Sequence, residues 1–114
     1  MSDEPQIIDV TITAPDADWL AQHCRNLIEQ RLAASANIIP SIQSIYHWQG
    51  EVHEGTEAYA ILHTTTDHFD EIVRLTNDSH PYETAHVLAN KVARADPSYE
   101  NWVAAESSTP PVGQ

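Results

Sequence analysis

Near the start of the chain, apolar residues fall on alternate positions. Ile8, Val10 and Ile12 share one parity, with Asp9 and Thr11 on the other. A period of two predicts a strand with one buried face, Ile7 to Thr13. Ala14-Pro15-Asp16 ends it, and Asp16 is placed to cap a helix. From Asp18 to Ala34 the step changes to three and four, with Leu20, Cys24, Leu27, Ile28 and Leu32 on one stripe. That predicts a helix packed on a sheet, with Cys24 as core filler.

The stretch from Leu32 to Val52 organises the rest. Ile38, Ile42, Tyr46 and Trp48 hold even positions, which one strand face would bury together, while Ile39 and Ile45 hold odd ones. Pro40 cannot donate to a ladder hydrogen bond, so it marks an edge, a bend or a bulge. Glu54-Gly55 supplies turn chemistry before a second strand, Glu57 to Thr65, setting Trp48 across from Ile61 and Tyr46 across from His63. A turn at Gly50 is the alternative, with His47 facing His53.

Asp67 is placed to cap a second helix whose inward stripe is Phe69, Ile72, Val73 and Thr76. His80-Pro81-Tyr82-Glu83 follows as a compact turn, extended at His80 because a proline comes next. A strand over 85–92 and a short helix from Asp96-Pro97, carrying Tyr99, Trp102 and Val103, complete the domain. The order strand, helix, strand, strand, helix, strand predicts a ferredoxin-like α+β sandwich: an antiparallel sheet with both helices on one face. The other face needs a cover, which points to self-association. Residues 1–107 form this domain, and 108–114 have the composition of a flexible tail.

Composition narrows the partners. With Lys+Arg 5 against Asp+Glu 17, the formal charge is −12 over 114 residues. Such a field repels phosphates and anionic lipid, so neither nucleic acid nor membrane is expected as a partner. No run of about 18 apolar residues is present. The acids are scattered, which fits a solvated surface. MSDEPQ lacks the basic and apolar regions of a secretory signal, and the lone Cys24 fits a reducing cytoplasm.

No phosphate-binding glycine loop, CxxC, HExxH or GxSxG pattern occurs. Among seven histidines, the tightest grouping with a carboxylate is His80, Glu83 and His86. Imidazole with carboxylate suits Cu(II) and other divalent ions, although HPYE also reads as a structural turn. Trp48 and the remaining aromatic residues with polar tips suit an interface or cleft wall, or the core.

LAASANIIPSIQSIYHWQGEV, HPYETAHVL and SYENWV together resemble the CutA divalent-cation tolerance family. The resemblance runs from about Ile7 to Ser107. It implies a ferredoxin-like protomer in a homotrimer related to P-II signalling proteins, with a cytoplasmic role in tolerance of copper and other divalent metals. It brings forward Tyr46, Trp48, Glu57, His63, Tyr82 and Trp102 as cleft or interface residues. Ser35 stands where the family often has cysteine, and His63 where it usually has lysine. Ala85-His86 replaces a Pro-Glu pair, so a copper site on that thiol is lost while His86 becomes available.

The leading expectation is a homotrimeric, non-catalytic, metal-responsive protein. His80, Glu83 and His86 would hold Cu(II), and His63 or Glu57 of a neighbour would complete the site. A P-II-like module binding a metabolite or partner protein between protomers is the alternative. An enzyme using His80 and Glu83 as an acid-base pair is a third.

Overall fold

A computed structural model of the chain describes residues 6–108. The elements run β1 (Ile7–Ala14), α1 (Ala17–Glu29), β2 (Ser35–Trp48), β3 (Glu51–Thr65), a 3₁₀ turn (Thr66–His68), α2 (Phe69–Ser79), β4 (Val87–Lys91) and α3 (Pro97–Glu106). The sheet has the order β2-β3-β1-β4 and its pairings are antiparallel, the ferredoxin-like arrangement that the element order predicts. The expected tail lies outside the described residues, apart from Ser108.

Alternation in β1 does what it predicts. Val10 pairs with Leu62 and Ile12 with Ala60, and these four join Leu20, Cys24, Leu27 and Ile72 in a core between sheet and helices. Asp16 caps α1 by accepting a hydrogen bond from Asp18 N–H at 3.1 Å. Burial pushes the Cys24 thiol up to about 11, so at neutral pH it stays protonated and acts as packing. Asp96 caps α3 in the same manner as Asp16, accepting from Ser98 N–H, with Pro97 in the first turn.

The α2 cap differs from expectation. The chain makes a 3₁₀ turn over Thr66–His68 first, so Asp67 lies before the helix and accepts instead from the Thr65 hydroxyl. His68 occupies the cap position and provides no side-chain cap.

The hairpin turn is also corrected. β2 and β3 are joined through Gln49 and Gly50, at φ 50° and 82°, and not through Glu54-Gly55. Two successive residues at positive φ form the tight connection whose twist matches the flanking strands. Gly55 lies within β3, opposite Ser44; Trp48 faces Glu51, Tyr46 faces His53 and His47 faces Val52.

A bulge at Pro40-Ser41 changes the strand's faces. Ile39 pairs with Tyr59, yet Ile42 pairs with Glu57, so β2 spends three positions where β3 spends two. Before the bulge, Ile38 pairs with Ala60 on the helix side of the sheet. Beyond it, Ile42, Tyr46 and Trp48 share the opposite face with Glu57, His53 and Glu51. The single even-numbered face expected from the sequence is therefore split. Ile45 moves to the other side, where it remains 63% exposed.

The turn yields the first prediction. Gly50→Ala should cost about 1 kcal/mol because alanine resists positive φ. Gln49→Asn should stabilise by a few tenths of a kcal/mol, since asparagine tolerates that region better. Urea midpoints that move the other way for either variant would show that this turn does not limit hairpin stability.

Candidate functional site

The face released by the bulge forms one wall of a cleft of about 610 Å³. Ile42, Ser44, Tyr46 and Trp48 of β2 line it, with Glu57 and Tyr59 of β3 as neighbours. Thr13, at the end of β1, is part of its lining. Pro81, Tyr82, Glu83 and Thr84 close the far side, and His86 stands beside Tyr59.

His80 holds the far wall in place. Its backbone is extended at φ −70° and ψ 137°, as Pro81 requires. Nδ1 accepts from Tyr82 N–H at 3.0 Å, so the ring proton is on Nε2, which donates to the Thr13 carbonyl at 2.7 Å. Both ring nitrogens are engaged, and metal ligation by His80 requires giving up one of these bonds. The turn is thereby pinned to β1.

Tyr82 then reaches across. Its hydroxyl donates to Glu57 Oε2 at 3.0 Å, linking the turn to β3. Burial foremost, then this bond and the charges of Glu57 and Tyr46, pushes the phenol up to about 12. Tyr82 therefore remains a neutral donor in the pair.

The other candidates separate. His86 shares a hydrogen bond with the Thr11 hydroxyl at 2.9 Å and meets the Tyr59 ring edge-on at 6.3 Å. Glu83 is exposed on the cleft wall. His63 donates from Nδ1 to Asp9 at 2.8 Å, and its Nε2 lies 2.8 Å from Asn37 Oδ1. Tyr99 of α3 meets His63 edge-on, and Trp102 packs beside Tyr99. His63 and Trp102 are thus absent from the cleft lining, whereas Tyr46, Trp48, Glu57, Tyr82, Glu83 and His86 share it. Among the described residues, no three or more His, Cys, Asp or Glu side chains are grouped to hold a metal ion.

Sequence reasoning did not single out Tyr59, Thr13 or Ile42 for this site. Tyr59 pairs with Thr13 across β1 and β3, so the missing signal was strand register.

This fold and its cleft define a ferredoxin-like module with an extended aromatic hairpin, a class to which the comparisons give a family. A family model described as "CutA1 divalent ion tolerance protein" matches residues 8–106, and the chain belongs to that family. Protein CutA of Mus musculus is 35% identical over 92 residues, 81% of this chain and 52% of that protein. The chain thus spans about half the length of the mouse relative. The divalent-cation tolerance protein CutA of Thermus thermophilus is 36% identical over 94 residues, covering 82% of this chain and 91% of that one. The solved Thermus structure superposes with a TM-score of 0.87 at 33% identity, covering 90% of this chain and 100% of that chain.

One titratable group ties the turn to the helices. Trp19 of α1 stacks on His23 at 5.0 Å and meets His80 edge-on at 5.2 Å, while His23 shares a 2.8 Å hydrogen bond with Thr76 of α2. Burial, and secondarily the nearby His80, lower the His23 pKa. Its contribution is intact above the unfolded-state value of about 6.5 and is lost as pH falls through the lower folded value. Thermal midpoints should therefore fall on acidification from neutral pH, and less steeply in His23→Gln. Parallel profiles for the two proteins would remove His23 as the cause.

Proposed function

We propose that this chain is the protomer of a cytoplasmic homotrimer that serves divalent-cation tolerance by binding rather than catalysis. The observation that carries this reading is the hairpin beyond the bulge. Ile45 and Val52 are 63% and 65% exposed, with Tyr46 and Trp48 at 50% and 41%. Cross-strand pairing puts the first two and the second two on opposite faces, so one chain leaves both uncovered. A second and third copy provide the cover, and family membership supports the same assembly. The buried lone thiol suits a reducing compartment.

Obligate interfaces bury on the order of 2,000 Å² or more, so folding and assembly are coupled. Light scattering at micromolar concentration should give three times the 12.7 kDa chain mass, and Val52→Asp should shift it downward. A monomeric mass for the unmodified chain would overturn the assembly.

Cu(II) is the proposed cargo because it heads the affinity order for imidazole donors. Glu83 and His86 are the donors offered by one chain, with His80 available only by surrendering a turn bond. Completion then falls to a neighbour's His63 or Glu57, so binding is weak and depends on assembly. Titration calorimetry should show copper affinity falling about tenfold or more in a Glu83→Gln, His86→Ala double variant. It should also weaken on acidification, because a protonated imidazole cannot ligate a metal. Equal binding by both proteins would move the site to other histidines.

A second reading, a P-II-like regulatory module taking a small metabolite, is favoured by one feature. The cleft's volume falls in the range of ligand sites and it has aromatic walls with a few polar groups.

A further inference from the structure

We propose that assembly of this chain is gated by ionic strength, because covering the hairpin brings like-charged carboxylates together. The proposal rests on the reading of the chain as a protomer and adds what controls the step from one chain to three.

Cross-strand pairing supplies the conflict. Ile45 faces Glu54 and Trp48 faces Glu51, on opposite faces of the hairpin. Such partners hold their Cβ atoms about 5 Å apart, so a copy that covers the apolar side chain also reaches the carboxylate. Ile42 and Glu57 repeat the arrangement nearer the bulge. Attraction and repulsion are therefore built from the same residue pairs.

The chain offers little to neutralise these acids. No lysine or arginine stands between Arg31 and Arg74, a stretch that includes the whole hairpin. Its basic groups are imidazoles, and His63 is already held by Asp9. Neither Glu51 nor Glu54 meets a cation among the described residues. Of the five basic residues, Arg31 donates to the Glu106 carbonyl and Arg74 binds Glu71 and Asp78. That leaves Arg25, Lys91 and Arg94, exposed cations on a chain whose formal charge is −12.

Screening decides the balance. Apolar burial is not electrostatic, whereas the reach of a charge falls from about 30 Å at about 0.01 M salt to about 10 Å at about 0.1 M. Added salt removes the repulsion and leaves the attraction. Assembly then follows the cation content of the surroundings.

The test follows light scattering through a urea series at several chain concentrations, which reads the trimer dissociation constant even where assembly is tight. Buffers are metal-free and pH is fixed. Between about 0.01 M and about 0.1 M sodium chloride, assembly should tighten at least tenfold. Glu51→Gln with Glu54→Gln should tighten it at least tenfold at the lower salt and flatten its salt response. Glu29→Gln with Asp70→Asn removes two charges from exposed helix positions and should shift assembly by less than about threefold. Magnesium chloride matched in ionic strength should act as sodium chloride does. Circular dichroism confirms that each variant folds. A dissociation constant that ignores salt overturns the proposal. One that rises with salt does so too, with Arg25, Lys91 or Arg94 of a neighbouring copy then paired to the hairpin. Equal gains from the hairpin and helix variants overturn it in favour of a general surface field. A magnesium effect beyond its ionic strength overturns it in favour of a bound ion. A monomer at every salt concentration defeats the protomer reading itself, whereas a salt-indifferent trimer defeats only this inference.

Discussion

One extra residue in β2 governs what this protein can present. The bulge at Pro40-Ser41 moves the strand from one parity to the other relative to β3. Without it, Ile42, Tyr46 and Trp48 would follow Ile38 onto the helix side of the sheet. With it, they join Glu57 and Tyr59 on the opposite face and make a cleft wall. Proline is tolerated there because β2 is the sheet's edge strand and a missing N–H leaves no neighbour unpaired.

The second wall depends on the first through a short chain of polar contacts. His80 fixes the turn to β1, Tyr82 leaves that turn, and Glu57 receives it from β3. Each bond is ordinary in strength, about 1 kcal/mol net. Their joint effect is geometric, because three elements far apart in sequence are held at one spacing. Trp19, placed between His23 and His80, connects the same turn to α1, so helix packing and cleft shape are coupled.

Local signals were readable where neighbouring residues decide the outcome. The Asp16 and Asp96 caps, the alternation of β1 and the stripe of α1 follow from short-range chemistry. The extended His80 follows from Pro81 in the same way. Faces and registers were less readable. Pro40 announced an irregularity, but only pairing with β3 shows that a residue is inserted and the parity inverted. Glu54-Gly55 had turn chemistry as acceptable as Gln49-Gly50; the strand pairing, which places Gly55 opposite Ser44, decided between them. Asp67 looked like a cap because the intervening 3₁₀ turn leaves no clear mark in composition. Of the residues lining the cleft, Tyr46, Trp48, Glu57 and Tyr82 stand in motifs that the family resemblance brings forward. The tautomer and engagement of His80 were not readable in the sequence, since Thr13 is distant along the chain.

The position of β1 has a consequence for how the chain reaches this state. Val10 pairs with Leu62 on one side and Ala89 on the other, so β1 is made first yet meets its partners last. The β2–β3 hairpin, closed by two residues, has a small loop-closure entropy to overcome and can form locally. Until β4 has emerged, β1 keeps an unpaired edge and an incomplete apolar face. Pairing β1 on both sides requires contacts between residues far apart in the chain, and such contacts slow folding. The aromatic hairpin, ready early and uncovered, is meanwhile the part most exposed to premature contact with another chain.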